Sequence, residues 1–315
     1  MLLDFPFFRN YCRLCKETMM LLSIILLLVA SAATQEEEIE KCPSCIKVES
    51  SCYNVSFLFD LNATFRSHVM VHKMGVLRYD NTLFYAFEPP IEDKEYYKVA
   101  YVNLDNPEQD GVILDNNNQI LNLGTFDIDQ DNSIVYLGGS NGIWAIDKEK
   151  NLKYYSSRGD NIKVVFYKMY VFFAKSNESS IIEKKGDQFE IYAEDLQVKS
   201  FVITKYDELI YLSNFGLFLK KKEETVRLSK NAFFRGLTMD LDGNVYAWWV
   251  DGIYKIMIAK NLNRSSVVKV ADIPTIGAMA FDNDNNILFN DGRGLYRMTK
   301  IANVSACLEE EANEL

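Results

Sequence analysis

At 315 residues, with 48% hydrophobic and 13% aromatic side chains, the chain carries material for a sizeable core in one or two domains. Its formal charge of −10 argues against nucleic acid and anionic membrane surfaces as partners, because both need clustered cations. The one basic run, Lys220-Lys221-Lys222, is followed at once by Glu223-Glu224 and reads as an exposed hairpin turn.

Residues 1–33 read as a signal peptide. Arg9, Arg13 and Lys16 precede an apolar run from Met19 to Ala30, and Ser31-Ala32-Ala33 supplies the small residues of a cleavage site. A spanning helix needs roughly 20 apolar residues, and this run is shorter. Met19 and Met20 are alternative starts. The expectation is a secreted, extracellular protein with no membrane partner. Cys12 and Cys15 would leave with the signal.

Residues 34–54 form a Cys-rich segment. Cys42, Cys45 and Cys52 stand there, and Cys307 stands at the far end. An even number in an oxidising compartment predicts two disulfides, one tying the N-terminal segment to the C-terminus unless Cys307 is left free. Sequons at Asn54, Asn62, Asn177, Asn263 and Asn303 point to the same compartment as glycosylation sites.

A repeat fills residues 55–300. "NGIWAID", "FGLFLKK", "DGIYKIM" and "RGLYRMT" each set a glycine before an aliphatic residue and an aromatic one. Their glycines, Gly142, Gly216, Gly252 and Gly294, lie 74, 36 and 42 residues apart, and 74 is two steps of 37. A period near 40 with three or four short strands is a propeller signature. One unit covers roughly residues 68–115, and others begin near Leu123, Ile162, Val198, Gly236 and Gly277. That makes six. The last lacks an outer strand, which the alternating stretch Asn54 to Leu61 can supply, closing the ring and removing free edges. The predicted fold is an all-β, six-bladed β-propeller closed by an N-terminal strand, with a β-sandwich or a pair of barrels as the alternative. Residues 301–315 read as an acidic tail.

In such a ring the loops between blades and the turns between second and third strands share one mouth. These are residues 116–124, 157–163, 194–200, 230–236 and 271–277, with Ser140-Asn141, Asn214-Phe215, Trp249 and Asn290-Asp291. Phe233, Phe234, Arg235, Trp249, Asn214, Phe215, Asn290 and Arg293 are therefore the candidate ligand-binding residues. Aromatic rings, amides and guanidinium groups together suit a planar, partly polar, acidic small molecule, and Arg235 can both stack and pair with a carboxylate. For Phe233, Phe234 and Trp249, core packing is the competing reading. The Asp-rich "DLDGN" and "DNDNN" stretches lack the ligand spacing of a calcium loop and read as hairpin turns on the opposite face.

His68 and His72 are the only histidines. Four residues apart on a strand they stand ~13 Å apart, too far to share a metal. Triads and most zinc sites that rely on histidine are thereby excluded. Lactonase-like propellers use carboxylates and calcium instead, but no Glu is placed for that role. The expectation is a binding protein with no catalytic residue, no metal and no cofactor. A protein-interaction propeller and a calcium-dependent lactonase-like hydrolase are the alternatives.

The signal segment, "KCPSCIKVESSCYNVSF" and the degenerate "GIWAID", "GLFLKK" and "GLYRM" units together resemble the ommochrome-binding proteins of insect haemolymph, from Cys42 to Thr299. That resemblance implies a soluble haemolymph carrier of a tryptophan-derived aromatic pigment, and the chain is expected to act as a monomer. It brings no motif of ligand residues.

Overall fold

The computed structural model describes residues 45–61, 70–88, 98–114, 121–140, 142–156 and 161–301. The signal segment, Cys42, Cys307, Asn62, Asn303, His68 and Asn141 lie outside them, as does the side chain of Cys45.

Two strands open the described chain, β1 (Cys45–Val48) and β2 (Ser51–Asp60). Five four-stranded antiparallel sheets follow in chain order. The first holds β3 (Met70–Leu77), β4 (Thr82–Glu88), β5 (Lys98–Asn103) and β6 (Asp110–Val112). The second holds β7 (Leu123–Asp129), β8 (Ile134–Gly139), β9 (Gly142–Ile146) and β10 (Leu152–Ser156). The third holds β11 (Ile162–Lys168), β12 (Tyr170–Lys175), β13 (Ile181–Lys185) and β14 (Gln188–Ala193). The fourth holds β15 (Ser200–Ile203), β16 (Leu209–Ser213), β17 (Gly216–Lys221) and β18 (Glu224–Ser229). The fifth holds β19 (Gly236–Met239), β20 (Val245–Trp249), β21 (Gly252–Met257) and β22 (Ser266–Asp272). A sixth sheet combines β23 (Ala278–Phe281), β24 (Ile287–Asn290) and β25 (Gly294–Lys300) with β2 and then β1. The first strand of each sheet touches the first strand of the next, from β3 round to β23 and back to β3. This is a six-bladed propeller.

Position in a blade explains the sequence pattern. Second strands lie between neighbouring sheets, so β16 (LIYLS) and β24 (ILFN) are buried at every residue and read as continuous apolar runs. Outermost strands face solvent, and β18 (ETVRLS) has no fully buried residue. The turn-Gly-Ile-aromatic phrase is the start of the third strand. In two copies its glycine sits where a side chain would collide with the neighbouring backbone, and at Gly294 a Cβ would meet the Phe57 ring. A Cβ on Gly216 would overlap the Ser229 carbonyl, and one on Gly252 the Ala271 carbonyl, both at positive φ.

The Asp-rich stretches are turns between first and second strands. Asp240 Oδ1 accepts from the amides of Asp242 and Asn244, and its Oδ2 accepts from Asn244 Nδ2 and the Tyr246 hydroxyl. Asp282 repeats this with Asp284 and Asn286, and Asp129 with Asp131 and Asn132. These carboxylates are consumed by their own turns. In the fourth blade Thr204 takes the aspartate's place, accepting from the amides of Tyr206 and Glu208.

In the sixth sheet β2 pairs antiparallel with β25, Phe57 standing opposite Tyr296. The two rings meet edge-on at 5.5 Å, and Tyr296 stacks on Phe289 at 5.1 Å, so one aromatic row crosses three strands. A fifth strand, β1, was not expected. It turns back through Glu49, at φ 53°, and pairs along the outer side of β2.

Candidate functional site

The propeller has two mouths, at the beginning and at the end of the six innermost strands. At the end lies a cavity of about 210 Å³ to which every innermost strand contributes, including Met74, Phe166, Phe201, Met239 and Phe281. Its wall mixes apolar side chains with polar ones such as Arg78, Gln130 and Asp240, and holds one ion pair. Lys73 Nζ stands 4.0 Å from Asp127 Oδ1 and donates to the Val165 carbonyl at 3.2 Å, while Asp127 Oδ2 accepts from the Tyr167 amide at 2.7 Å. Burial pushes the Asp127 carboxyl up and the Lys73 ammonium down, each opposed by the other's charge.

The opposite mouth, where the innermost strands begin, holds a larger cavity of about 440 Å³. Four blades supply it, through His72, Asn122, Ser140, Asn161, Lys163, Ser176 and Lys199 among others. Backbone hydrogen bonds run along its rim in sequence. The Ser140 amide donates to the Asn122 carbonyl, Asn161 to Ser140, and Ser176 to Asn161, at 3.1, 3.2 and 2.9 Å. Asn122 Nδ2 adds a 2.5 Å bond to Ser140 Oγ, and His72 Nε2 donates to the Gly124 carbonyl at 2.8 Å. Gly139 is required in this rim, since a Cβ there would overlap the Asn122 carbonyl. Among the described lining residues there is no carboxylate; the charged groups are cations.

None of the eight predicted ligand residues lines this cavity; they lie on the fourth, fifth and sixth blades. Phe233 is 72% exposed and lies nearly parallel to Trp249, centroids 6.3 Å apart and planes at 20°. Phe215 is exposed on the β16–β17 turn beside exposed Asn214, and Arg293 is exposed on the β24–β25 turn. Arg235 Nη1 donates to the Ile276 carbonyl at 2.8 Å, which ties the fifth blade to the sixth. Phe234 faces inward instead, 5% exposed and edge-on to Tyr254 at 5.1 Å. Asn290 is 0% exposed, donating from Nδ2 to the Gly294 carbonyl and accepting at Oδ1 from the Gly292 amide. The fold thus brings Phe233 to Trp249 and holds Arg235 close by, while the side chains of Phe234 and Asn290 serve packing and a turn.

No family model matches the chain. Over 247 residues it is 24% identical to the ommochrome-binding protein of Manduca sexta, covering 72% of this chain and 84% of that protein. The chain is similar to an ommochrome-binding protein. Among solved structures it is similar to XC5397, a gluconolactonase from Xanthomonas campestris, with a TM-score of 0.61 at 9% identity over 82% of this chain and 95% of that one. A virginiamycin B lyase from Staphylococcus aureus aligns with a TM-score of 0.55 at 12% identity over 79% and 100%. At such identities these two likenesses concern the fold alone.

Asn122, Asn161, Lys163 and Lys199 lie in loops that the sequence assigns to this mouth, but nothing in the sequence singles them out. His72 was weighed only as a metal ligand. Aromatic residues drew attention because they are scarce in loops, whereas a solitary lysine in a charged sequence carries no signal. Among the described residues no three His, Cys, Asp or Glu side chains are grouped to hold a metal ion, and no helix is long and apolar enough to cross a membrane.

Proposed function

We propose that this chain is a secreted carrier that binds a planar, anionic, tryptophan-derived pigment of the ommochrome class at the polar mouth of its propeller. The similarity to the ommochrome-binding protein of Manduca sexta over 72% of the chain carries this reading. The mouth supports it with a cavity of about 440 Å³, within the usual range for small-molecule sites, whose Lys199 reaches the Ala232 carbonyl beside exposed Phe233, a ring that lies against half-buried Trp249. The carrier acts as a monomer without catalysis, metal or cofactor.

Secretion belongs to the same proposal. The signal segment is removed, Cys42, Cys45, Cys52 and Cys307 form two disulfides, and Asn54, Asn62, Asn177, Asn263 and Asn303 are glycan acceptors. Cys52 is 2% exposed and disulfide-bonded, which supports an oxidised N-terminal segment. Asn54, Asn177 and Asn263 have exposed side chains, as acceptors must.

The test is spectroscopic. Protein purified from its natural source should carry a visible chromophore, and the recombinant protein should shift the absorbance of added xanthommatin in a saturable way. A colourless native protein that leaves the xanthommatin spectrum unchanged would point to a protein-interaction propeller instead.

A further inference from the structure

Resting on the carrier reading, the geometry points to Lys163 and Lys199 as the anion-holding half of the site, with Phe233 and Trp249 as the surface on which the ligand's ring lies. Both lysines line the cavity of about 440 Å³. Neither has a carboxylate partner among the described residues, although acidic groups outnumber basic ones, 44 to 34, in the whole sequence. Elsewhere on this surface lysines pair readily, as Lys175 does with Glu178 at 2.7 Å and Lys255 with Glu49 at 2.8 Å.

Lys199 also joins the two halves. Its Nζ donates to the Ala232 carbonyl at 3.3 Å, one residue before Phe233. The same loop is stiffened from both ends, the Phe233 amide donating to Asn231 Oδ1 at 2.9 Å and the Arg235 amide to the Trp248 carbonyl at 2.8 Å. A single carbonyl contact leaves the remaining ammonium protons of Lys199 available to a ligand. Arg235 is placed differently, with Nη1 engaged by Ile276 in holding two blades together.

This arrangement selects a ligand class. A flat aromatic ring fits against Phe233 and Trp249, and a carboxylate on that ring's edge meets two ammonium groups in a polar cavity that also offers the amides of Asn122 and Asn161. A neutral aromatic of the same shape lacks the second interaction. An aliphatic carboxylate lacks the first.

Two probes separate this inference from the carrier reading. One is xanthommatin, followed by absorbance. The other is kynurenic acid, a small planar aromatic carboxylate, followed by calorimetry. Each is titrated into the wild type, into Lys163→Glu/Lys199→Glu, and into Lys222→Glu, which alters one exposed lysine on a distant hairpin. The expected result is at least a thirtyfold loss of affinity for both probes in the double variant, with Lys222→Glu within twofold of wild type. Wild-type affinity for both should also fall with added salt. Xanthommatin bound equally by wild type and double variant would overturn the lysine assignment and leave the carrier reading standing. Lysine-dependent binding of kynurenic acid without any binding of xanthommatin would support the anion site and remove the pigment. Failure to bind either would overturn both. Quinoline, neutral and carrying no carboxylate, should bind at least tenfold more weakly than kynurenic acid, and equal binding would overturn the selection argued here.

Discussion

Lys73 and Asp127 form an ion pair where the innermost strands end, Nζ 4.0 Å from Oδ1, with each side chain 26% exposed. Each resides on an innermost strand of adjacent blades, so the pair bridges two sheets among side chains such as Met74, Phe166 and Phe201. Taking one member away leaves the other charged group without its partner in a poor solvent. Lys73→Met should therefore destabilise the protein by about 1–3 kcal/mol, below the usual cost for a fully buried pair because water still reaches both groups. The double variant Lys73→Met/Asp127→Leu should recover most of that loss. Urea unfolding midpoints at constant slope would show it, and a double variant weaker than the single one would refute the reasoning.

The same pair predicts a pH dependence. The Asp127 carboxyl is raised in the folded state, chiefly by burial. The folded chain then holds this proton more tightly than the unfolded chain, so the group's contribution is complete below the unfolded value of about 3.9 and is lost as pH rises through the raised one. Compared with Asp127→Asn, the wild type should gain stability as pH falls from 7 towards 4. A relative loss over that interval would contradict the assigned direction.

Asn290 was expected to meet ligand, yet its side chain is 0% exposed and closes the β24–β25 turn through Gly292 and Gly294. Asn290→Ala should cost about 1–3 kcal/mol by leaving buried backbone groups without partners. Pigment affinity of the folded fraction should stay within about twofold. Thermal unfolding together with titration would separate the two effects.

Phe233 and Arg235 sit two residues apart and should respond differently. Phe233→Ala removes a 72% exposed ring from the Trp249 stack and should leave stability nearly unchanged. It should weaken xanthommatin binding by about 0.5–1.5 kcal/mol beyond lost area, roughly two- to tenfold. Arg235→Ala removes the bond to the Ile276 carbonyl and should lower stability by about 0.5–1.5 kcal/mol, while reducing affinity less than charge reversal of the two cavity lysines. An Arg235 variant that loses affinity and keeps its stability would return the anion contact to the guanidinium.

The proposed disulfides are checked most directly by alkylation and mass mapping of the secreted protein. No free thiol should be found among Cys42, Cys45, Cys52 and Cys307. Reduction should lower the melting temperature, because opening a bridge restores freedom to the unfolded chain, an effect of about 2–5 kcal/mol in small secreted domains. A free Cys307 thiol would remove the expected tie between the chain ends.

Local chemistry made the blades legible in the sequence. Four of the six third strands begin with glycine, and at Gly216 and Gly252 the reason is a backbone that approaches a neighbouring carbonyl, those of Ser229 and Ala271. Second strands are apolar throughout because sheets cover both their faces, as at Leu209–Ser213. The Asp-rich turns were recognisable because an Asp carboxylate accepts from amides two to four residues ahead, as Asp240 does. All three are short-range constraints, so residue order alone determined them. Which mouth residues meet one another is a long-range matter. Asn122, Asn161, Lys163 and Lys199 come from three loops, and only the curvature of the ring sets them around one cavity. Side-chain direction was equally out of reach: Phe233 and Phe234 are adjacent in sequence, yet one is 72% exposed and the other 5%. Residue order cannot tell which of two neighbouring rings turns inward, because the space that receives Phe234 is built by Tyr254 and the packed sheets of the blades around it.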